Sequence, residues 1–375
     1  MVKTISVYFN GTDDDNDVPE HGRITLAALL DQMTVKDHNN FSICVNGCGV
    51  ETQDIRDLGA IFTFHLEKQV LNIAKQVEEM VKSSEDKVVL NVYGFSRGGA
   101  AAFWLGQKLK HISADRLTIN VASFEPVPGN FITGVYGDLL LGTNSTLSAA
   151  VADLTECKNI ANALVLFTNQ PLPDIACHAP ILPSLPTTCK AEIDVTPGCH
   201  KGAVAFYKSG ESIKPANDES EIAFHRVVDF MQKCGTSFNF DKLHLDRNLI
   251  YSKESKQDST DHRLLSLYER LAGKTSFRDG GQNRSMHLRN TIFTARDSKK
   301  YLNRYHQQLC NVENVSDKDC VLTIQSHNPQ RMSPQQRQAI QFMQLTFVLA
   351  MAWMIYNKYF NEPSLESSNG FRPRF

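Results

Sequence analysis

The chain has 375 residues, 39 basic and 41 acidic side chains, and a formal net charge of −2. With 42% hydrophobic and 21% charged residues it can bury a full core without staples, which excludes disorder along its length, collagen and a disulfide miniprotein. Near-neutral charge leaves no electrostatic footprint for nucleic acid, and the lack of repeated long apolar runs excludes a multi-span membrane protein.

The first part of the chain alternates strands and helices. Ile5–Phe9 is a short apolar strand, stopped by Asn10-Gly11-Thr12 and an acidic loop from Asp13 to Asp17. Ile24–Met33 reads as a helix and Phe41–Val45 as a second strand, broken by Gly47 and Gly49. In His65–Lys82 the apolar residues Leu66, Val70, Ile73, Ala74, Val77 and Val81 recur at helical spacing. Val88–Tyr93 is a third strand, Ala100–Leu109 a helix of small residues, and Leu117–Phe124 and Ala163–Thr168 are further strands, with a weaker one at Ala191–Val195. Such alternation predicts an α/β fold: a mostly parallel sheet covered by helices on both faces.

Pro171 to Pro186 is a proline-rich loop, because proline neither donates to a strand ladder nor fits a helix interior. Beyond Ser209 the segments Glu219–Gln232, His262–Leu271 and Ala295–Leu309 read as helices joined by polar stretches, and there is no internal repeat. The predicted organisation is an α/β domain over residues 1–210 and a helical accessory or cap region over 211–375. Within the latter, Leu345–Tyr356 is almost unbroken apolar sequence, and residues 339–360 are expected to form an apolar helix with Gln341 and Gln344 inside it. Spanning a bilayer takes about 20 apolar residues, so this stretch is either a buried helix or a membrane-docking tail with Trp353, Tyr356, Lys358 and Tyr359 at the interface.

The most informative run is Gly94-Phe95-Ser96-Arg97-Gly98-Gly99-Ala100, between a strand and a helix. Gly-x-Ser-x-Gly in that context is a nucleophile elbow, where a sharp strand-to-helix turn raises the serine hydroxyl above the sheet. Gly94 and Gly98 must be small because the strand and helix backbones approach closely. The helix N-terminus then points amides at developing negative charge.

This elbow resembles that of a bacterial α/β-hydrolase family that includes the type VI secretion phospholipase effectors. Two further motifs over the first 200 or so residues share the likeness: Phe9-Asn10-Gly11-Thr12, where the family has Phe-Asp-Gly-Thr, and the looser Gly47-Cys48-Gly49-Val50-Glu51-Thr52 loop. The resemblance implies an α/β-hydrolase with a C-terminal helical region, a Ser96 nucleophile and a lipid ester substrate. The oxyanion hole would use the amide of Arg97, the residue after the nucleophile, and an amide of the Gly11 or Thr12 turn.

In α/β-hydrolases the triad runs serine, acid, histidine along the chain. The histidine should follow a late strand, and His200, after Ala191–Val195 and a Thr-Pro-Gly turn, is the expected general base. His178 lies in the proline-rich loop, and His225 and His244 in helical segments. The acid expected is Asp174, in a loop after the fifth strand similar to the acid loop of fungal-type lipases. Glu125 is the alternative, since the effector family has an acidic residue followed by x-Val there and some lipases place their acid at that point. Asp153 and Asp194 are more distant candidates.

No metal and no cofactor are expected. Cys177-His178, Cys189 and Cys199-His200 are adjacent or widely spaced, unlike the tight ligand pairs of structural zinc, and the acidic loop matches no EF-hand spacing. Nine scattered cysteines and an N-terminus without a secretory signal pattern predict free thiols in a cytoplasmic protein, or a bacterial effector exported without a cleaved signal to act at a membrane. The function expected is a serine hydrolase of carboxylic esters, of lipase or phospholipase type. A soluble esterase, thioesterase or protein deacylase would use the same residues, and a catalytically inactive hydrolase fold used for binding is the other class. The expected partners are a lipid or other acyl ester and, through 339–360, a membrane surface, with no nucleic acid.

Overall fold

The computed structural model describes residues 2–12, 14, 22–50, 66–128, 150, 151, 153–170, 180, 181, 183–200, 202–209 and 212–240, together with three short strands further on. All of these belong to one compact unit, and the second unit, residues 139–141 and 328–375, lies outside them. The predicted apolar helix 339–360 and the helices at His262–Leu271 and Ala295–Leu309 also lie outside the described residues. Among the described residues no helix is long and apolar enough to cross a membrane.

The centre is a six-stranded sheet built from β1 (Lys3–Phe9), β3 (Asn40–Val45), β4 (Val88–Phe95), β5 (Leu117–Phe124), β6 (Ile160–Gln170) and β7 (Lys190–Cys199). Its order is β3-β1-β4-β5-β6-β7 and every pairing is parallel. Val, Ile and Leu fill these strands because parallel strands joined by helices are buried on both faces. One face packs on α2 (Leu66–Ser83) and α3 (Arg97–Lys108), through Val70, Val77, Ala101 and Phe103 against Val7, Val92 and Val121. The other packs on α1 (Leu26–Met33) and α4 (Asp218–Lys233), through Leu29, Leu30, Phe224 and Val228 against Tyr8, Tyr93 and Leu164. A smaller antiparallel sheet joins β2 (Arg23–Thr25), β8 (Ala205–Ser209) and β9 (Ser212–Pro215). Three further strands, β10 (Ser285–His287), β11 (Thr291–Thr294) and β12 (Thr323–Ser326), form a second antiparallel sheet.

Three expectations are refined. Ile24 belongs to β2, paired with Phe206, and α1 begins only at Leu26 because the Thr25 hydroxyl accepts from the Ala28 amide and caps it. The weak strand at Ala191–Val195 is ten residues long, and it carries Pro197 at a sheet edge, where proline is tolerated. The core also continues past residue 210, since Phe224, Val227, Val228 and Met231 of α4, and Phe238 beyond it, pack on the sheet. Polar contacts fasten this segment. Asn91 donates to the Cys234 carbonyl and to Thr236, Asn120 donates to Asn91 and Asn162 to Asn120, while the Ser6 hydroxyl meets Thr236. The three asparagines are register partners on β4, β5 and β6, so each buried amide is satisfied by its neighbour.

The direction in which the chain adds strands reverses at β1, whose neighbours are β3 on one side and β4 on the other. In open α/β sheets, ligands bind at such switch points, outside the carboxyl ends of the strands. Ser96 directly follows β4, and Asn10–Thr12 directly follows β1.

Candidate active site

Ser96 is the residue between β4 and α3, at φ 55 and ψ −119, a conformation that side chains with a Cβ rarely adopt. The surrounding backbone enforces it: the Ser96 amide donates to the Phe124 carbonyl at 2.9 Å, and the Ser96 carbonyl accepts from Val127 at 3.0 Å and Ala100 at 3.2 Å. A Cβ on Gly94 would stand 2.1 Å from the Gly98 carbonyl oxygen, and one on Gly98 would stand 2.5 Å from the carbonyl oxygens of both Phe9 and Asn10. Only glycine at both places lets the strand, the helix and the end of β1 meet. Gly94→Ala is therefore expected to cost at least about 3 kcal/mol and to lower Tm by about 10 °C or leave the protein insoluble. Gly106→Ala, whose new methyl meets only the Ile160 side chain at 3.0 Å, should cost much less, and thermal denaturation followed by circular dichroism compares the two.

The Ser96 hydroxyl lies 2.9 Å from Nε2 of His200, and Nδ1 of His200 is hydrogen-bonded to Oε2 of Glu125. All three residues are buried, at 2%, 4% and 3% exposure, so the line of contacts is shielded from water. With Nδ1–H donating to the carboxylate, Nε2 is left to accept from the serine hydroxyl, the tautomer that general-base chemistry requires. The His200 ring packs on Phe95, with centroids 4.7 Å apart.

His200 follows β7 as expected, and α4 holds its loop in place. Gly198, at φ +106, packs against Glu219, and the Asn217 side chain, which caps α4, donates to the Gly202 carbonyl. Glu125 sits at the end of β5 with φ 45, and its amide donates to Leu166 on β6 at 2.8 Å. That bend aims the side chain along the carboxyl ends of the strands. Oε1 accepts from the Thr168 amide at 2.8 Å and from its hydroxyl at 2.6 Å, leaving Oε2 for His200.

Of the other sequence candidates, Asp174, His178 and His244 lie outside the described residues. Asp194 is ion-paired with Arg226 at 3.0 Å and Asp153 accepts from the Thr155 hydroxyl at 2.6 Å, while the two ring nitrogens of His200 meet Glu125 and Ser96. His225 is buried on α4 near Glu221. Thr168 was not foreseen, since a threonine at a strand end carries no signal in sequence.

The Asn10–Thr12 turn lies beside the elbow: a Cβ on Gly11 would stand 2.6 Å from the Phe95 ring. Asn10 ties the turn down by accepting from Thr25 at 2.5 Å and donating to the Val45 carbonyl at 3.2 Å. The second contact needs an N–H, which an ionised aspartate lacks. Arg97 opens α3, so its amide belongs to the helix N-terminus next to Ser96. Burial pushes the thiols of Cys157, Cys189 and Cys234 up to about 11, so they remain protonated near neutral pH and are poor nucleophiles. Among the described residues no group of three or more His, Cys, Asp or Glu side chains could hold a metal ion.

The parallel sheet, the strand-elbow-helix bearing Ser96 and the late histidine make this an α/β-hydrolase fold. No family model and no curated protein matches the chain. Among solved structures it is similar to an uncharacterized protein from Pseudomonas aeruginosa, with a TM-score of 0.41 and 12% identity over 73% of this chain and 51% of that one, so the chain spans about half of that protein's length. It is also similar to Est1E from Butyrivibrio proteoclasticus (TM-score 0.34, 11% identity, 62% of this chain and 88% of that one). A third similar structure is a peroxisomal α/β-hydrolase from Saccharomyces cerevisiae (TM-score 0.30, 11% identity, 73% and 86%).

Proposed function

We propose that the protein is a serine hydrolase of carboxylic esters, with Ser96 as nucleophile, His200 as general base and Glu125 as the acid. The observation that carries this reading is the continuous, buried hydrogen-bond line from the Ser96 hydroxyl through both ring nitrogens of His200 to the Glu125 carboxylate. Ser96 Oγ attacks the ester carbonyl as His200 Nε2 takes its proton. Glu125 holds the imidazole in the correct tautomer and stabilises the imidazolium. The tetrahedral oxyanion is received by the Arg97 amide and by an amide of the Gly11 or Thr12 turn. His200 then protonates the departing alcohol. Water, activated by the same imidazole, attacks the acyl-enzyme and releases the acid.

The acyl class we propose is lipid, making the protein a lipase or phospholipase of bacterial effector type that acts at a membrane surface through residues 339–360. The support is the sequence likeness of the Ser96 elbow and the Phe9-Asn10-Gly11-Thr12 turn to the phospholipase effectors, and the apolar run in that segment. The test measures nitrophenyl esters of increasing acyl length beside phospholipid liposomes. Rates that rise with chain length, with fatty acid released from liposomes, support the lipid reading. Turnover confined to short soluble esters makes the protein an esterase. Absence of both turnover and fluorophosphonate labelling of Ser96 leaves the fold a binding module.

A further inference from the structure

We propose that Thr168 is a positioning residue that aims the Glu125 carboxylate at His200; the proposal rests on the reading of Ser96, His200 and Glu125 as nucleophile, base and acid. Glu125 directly follows β5 and His200 directly follows β7, so the carboxylate must reach across the end of β6. A glutamate has three rotatable side-chain bonds, and the contact to His200 uses only one of its oxygens. Thr168, on β6 and fully buried at 0% exposure, holds the other.

Its amide at 2.8 Å and its hydroxyl at 2.6 Å converge on the same oxygen, Oε1. The hydroxyl contact has the length of a charge-assisted O–H···O⁻ bond. The two donors fix the plane of the carboxyl group, so Oε2 points at the imidazole. Threonine suits the task beyond its preference for strands, because β-branching restricts χ1 and keeps the hydroxyl on the carboxylate. Thr168 is the register partner of Thr196 on β7, so the same strand pair that carries His200 also carries this clamp.

The test uses the purified full chain and nitrophenyl butyrate, with Thr168→Val and Thr168→Ser compared with wild type. Valine keeps the shape and the backbone amide but removes the hydroxyl, and serine returns the hydroxyl. Thr168→Val is expected to lower kcat about 10-fold with KM within about twofold, and Thr168→Ser to recover most of the loss. The low-field proton resonance of the His200 Nδ1–H, identified by its loss in His200→Gln, should shift in the valine variant and return in the serine variant. Thr168→Ala, which adds no bulk, gives the same comparison if the valine variant does not fold. Wild-type kcat and an unshifted resonance in the valine or alanine variant overturn the proposal alone, as does a serine variant as impaired as the valine one. Absence of Ser96-dependent turnover in the wild type overturns the hydrolase reading and this proposal with it.

Discussion

Ser96→Ala is expected to lower ester hydrolysis by about 10⁴-fold to 10⁶-fold while leaving the fold intact, and His200→Ala to do nearly the same. The reason is that the two groups act as one device. The serine hydroxyl is a weak nucleophile until the imidazole 2.9 Å away takes its proton, and the imidazole has nothing to deprotonate once the hydroxyl is gone. The double variant should therefore be no slower than either single one. The alanine at position 96 inherits a φ of 55, but the positive-φ strain is already present in the native serine, so the substitution adds little to it. Steady-state rates of the three variants, with circular dichroism to verify folding, check the expectation. Additive losses, or a Ser96→Ala protein that retains its rate, would show that the site works by other chemistry.

Glu125→Gln should lower kcat by about 10³-fold to 10⁴-fold, with KM little changed. The amide is nearly isosteric, and its oxygen can still accept from the Thr168 amide and hydroxyl on the Oε1 side. That places the NH₂ group against Nδ1 of His200, which must then accept. The imidazole proton moves to Nε2, and the ring loses its ability to receive the proton of Ser96. The same substitution at the other candidate, Asp174→Asn, is expected to leave the rate unchanged. The pair of variants decides the acid: a large loss at Asp174 with little loss at Glu125 reverses the assignment.

Much of the architecture is legible in sequence because it depends on local pattern. Val88–Phe95 and Leu117–Phe124 are runs with few polar residues, as strands buried on two faces must be, and the spacing of Leu66 to Val81 fits one buried helix face. The elbow is legible for the same reason. Gly94, Ser96 and Gly98 form a single turn in which a Cβ on Gly94 would stand 2.1 Å from the Gly98 carbonyl oxygen, a demand between neighbours, whereas the need for glycine at 98 comes from the distant carbonyls of Phe9 and Asn10. His200 is legible as a candidate because it follows a strand that ends in Thr-Pro-Gly.

The proposed acid is not legible in the same way. Asp174 lies among prolines after a strand, where the fungal-type lipases carry their acid, and Glu125 offers the same chemistry 49 positions earlier by the numbering of the two residues. Choosing between them requires knowing where a carboxylate points. That depends on the φ of 45 at Glu125, on the β5-to-β6 hydrogen bond that holds it, and on a threonine 43 residues further along the chain. The boundary expected at residue 210 depended likewise on contacts remote in sequence, since the helical pattern of Asp218–Lys233 says only that one face is buried, not that it is buried against Tyr8 and Tyr93.

The sequence by itself determined the strands of the central sheet, the helices that cover it and the turn that carries Ser96, because hydrophobic periodicity and a strand-to-helix turn act over a few residues. The tertiary structure decided which carboxylate meets His200, which residue that carboxylate also accepts from, and how far the core extends. Those outcomes follow from the order β3-β1-β4-β5-β6-β7, which brings the ends of β5, β6 and β7 side by side although the chain separates them by tens of residues.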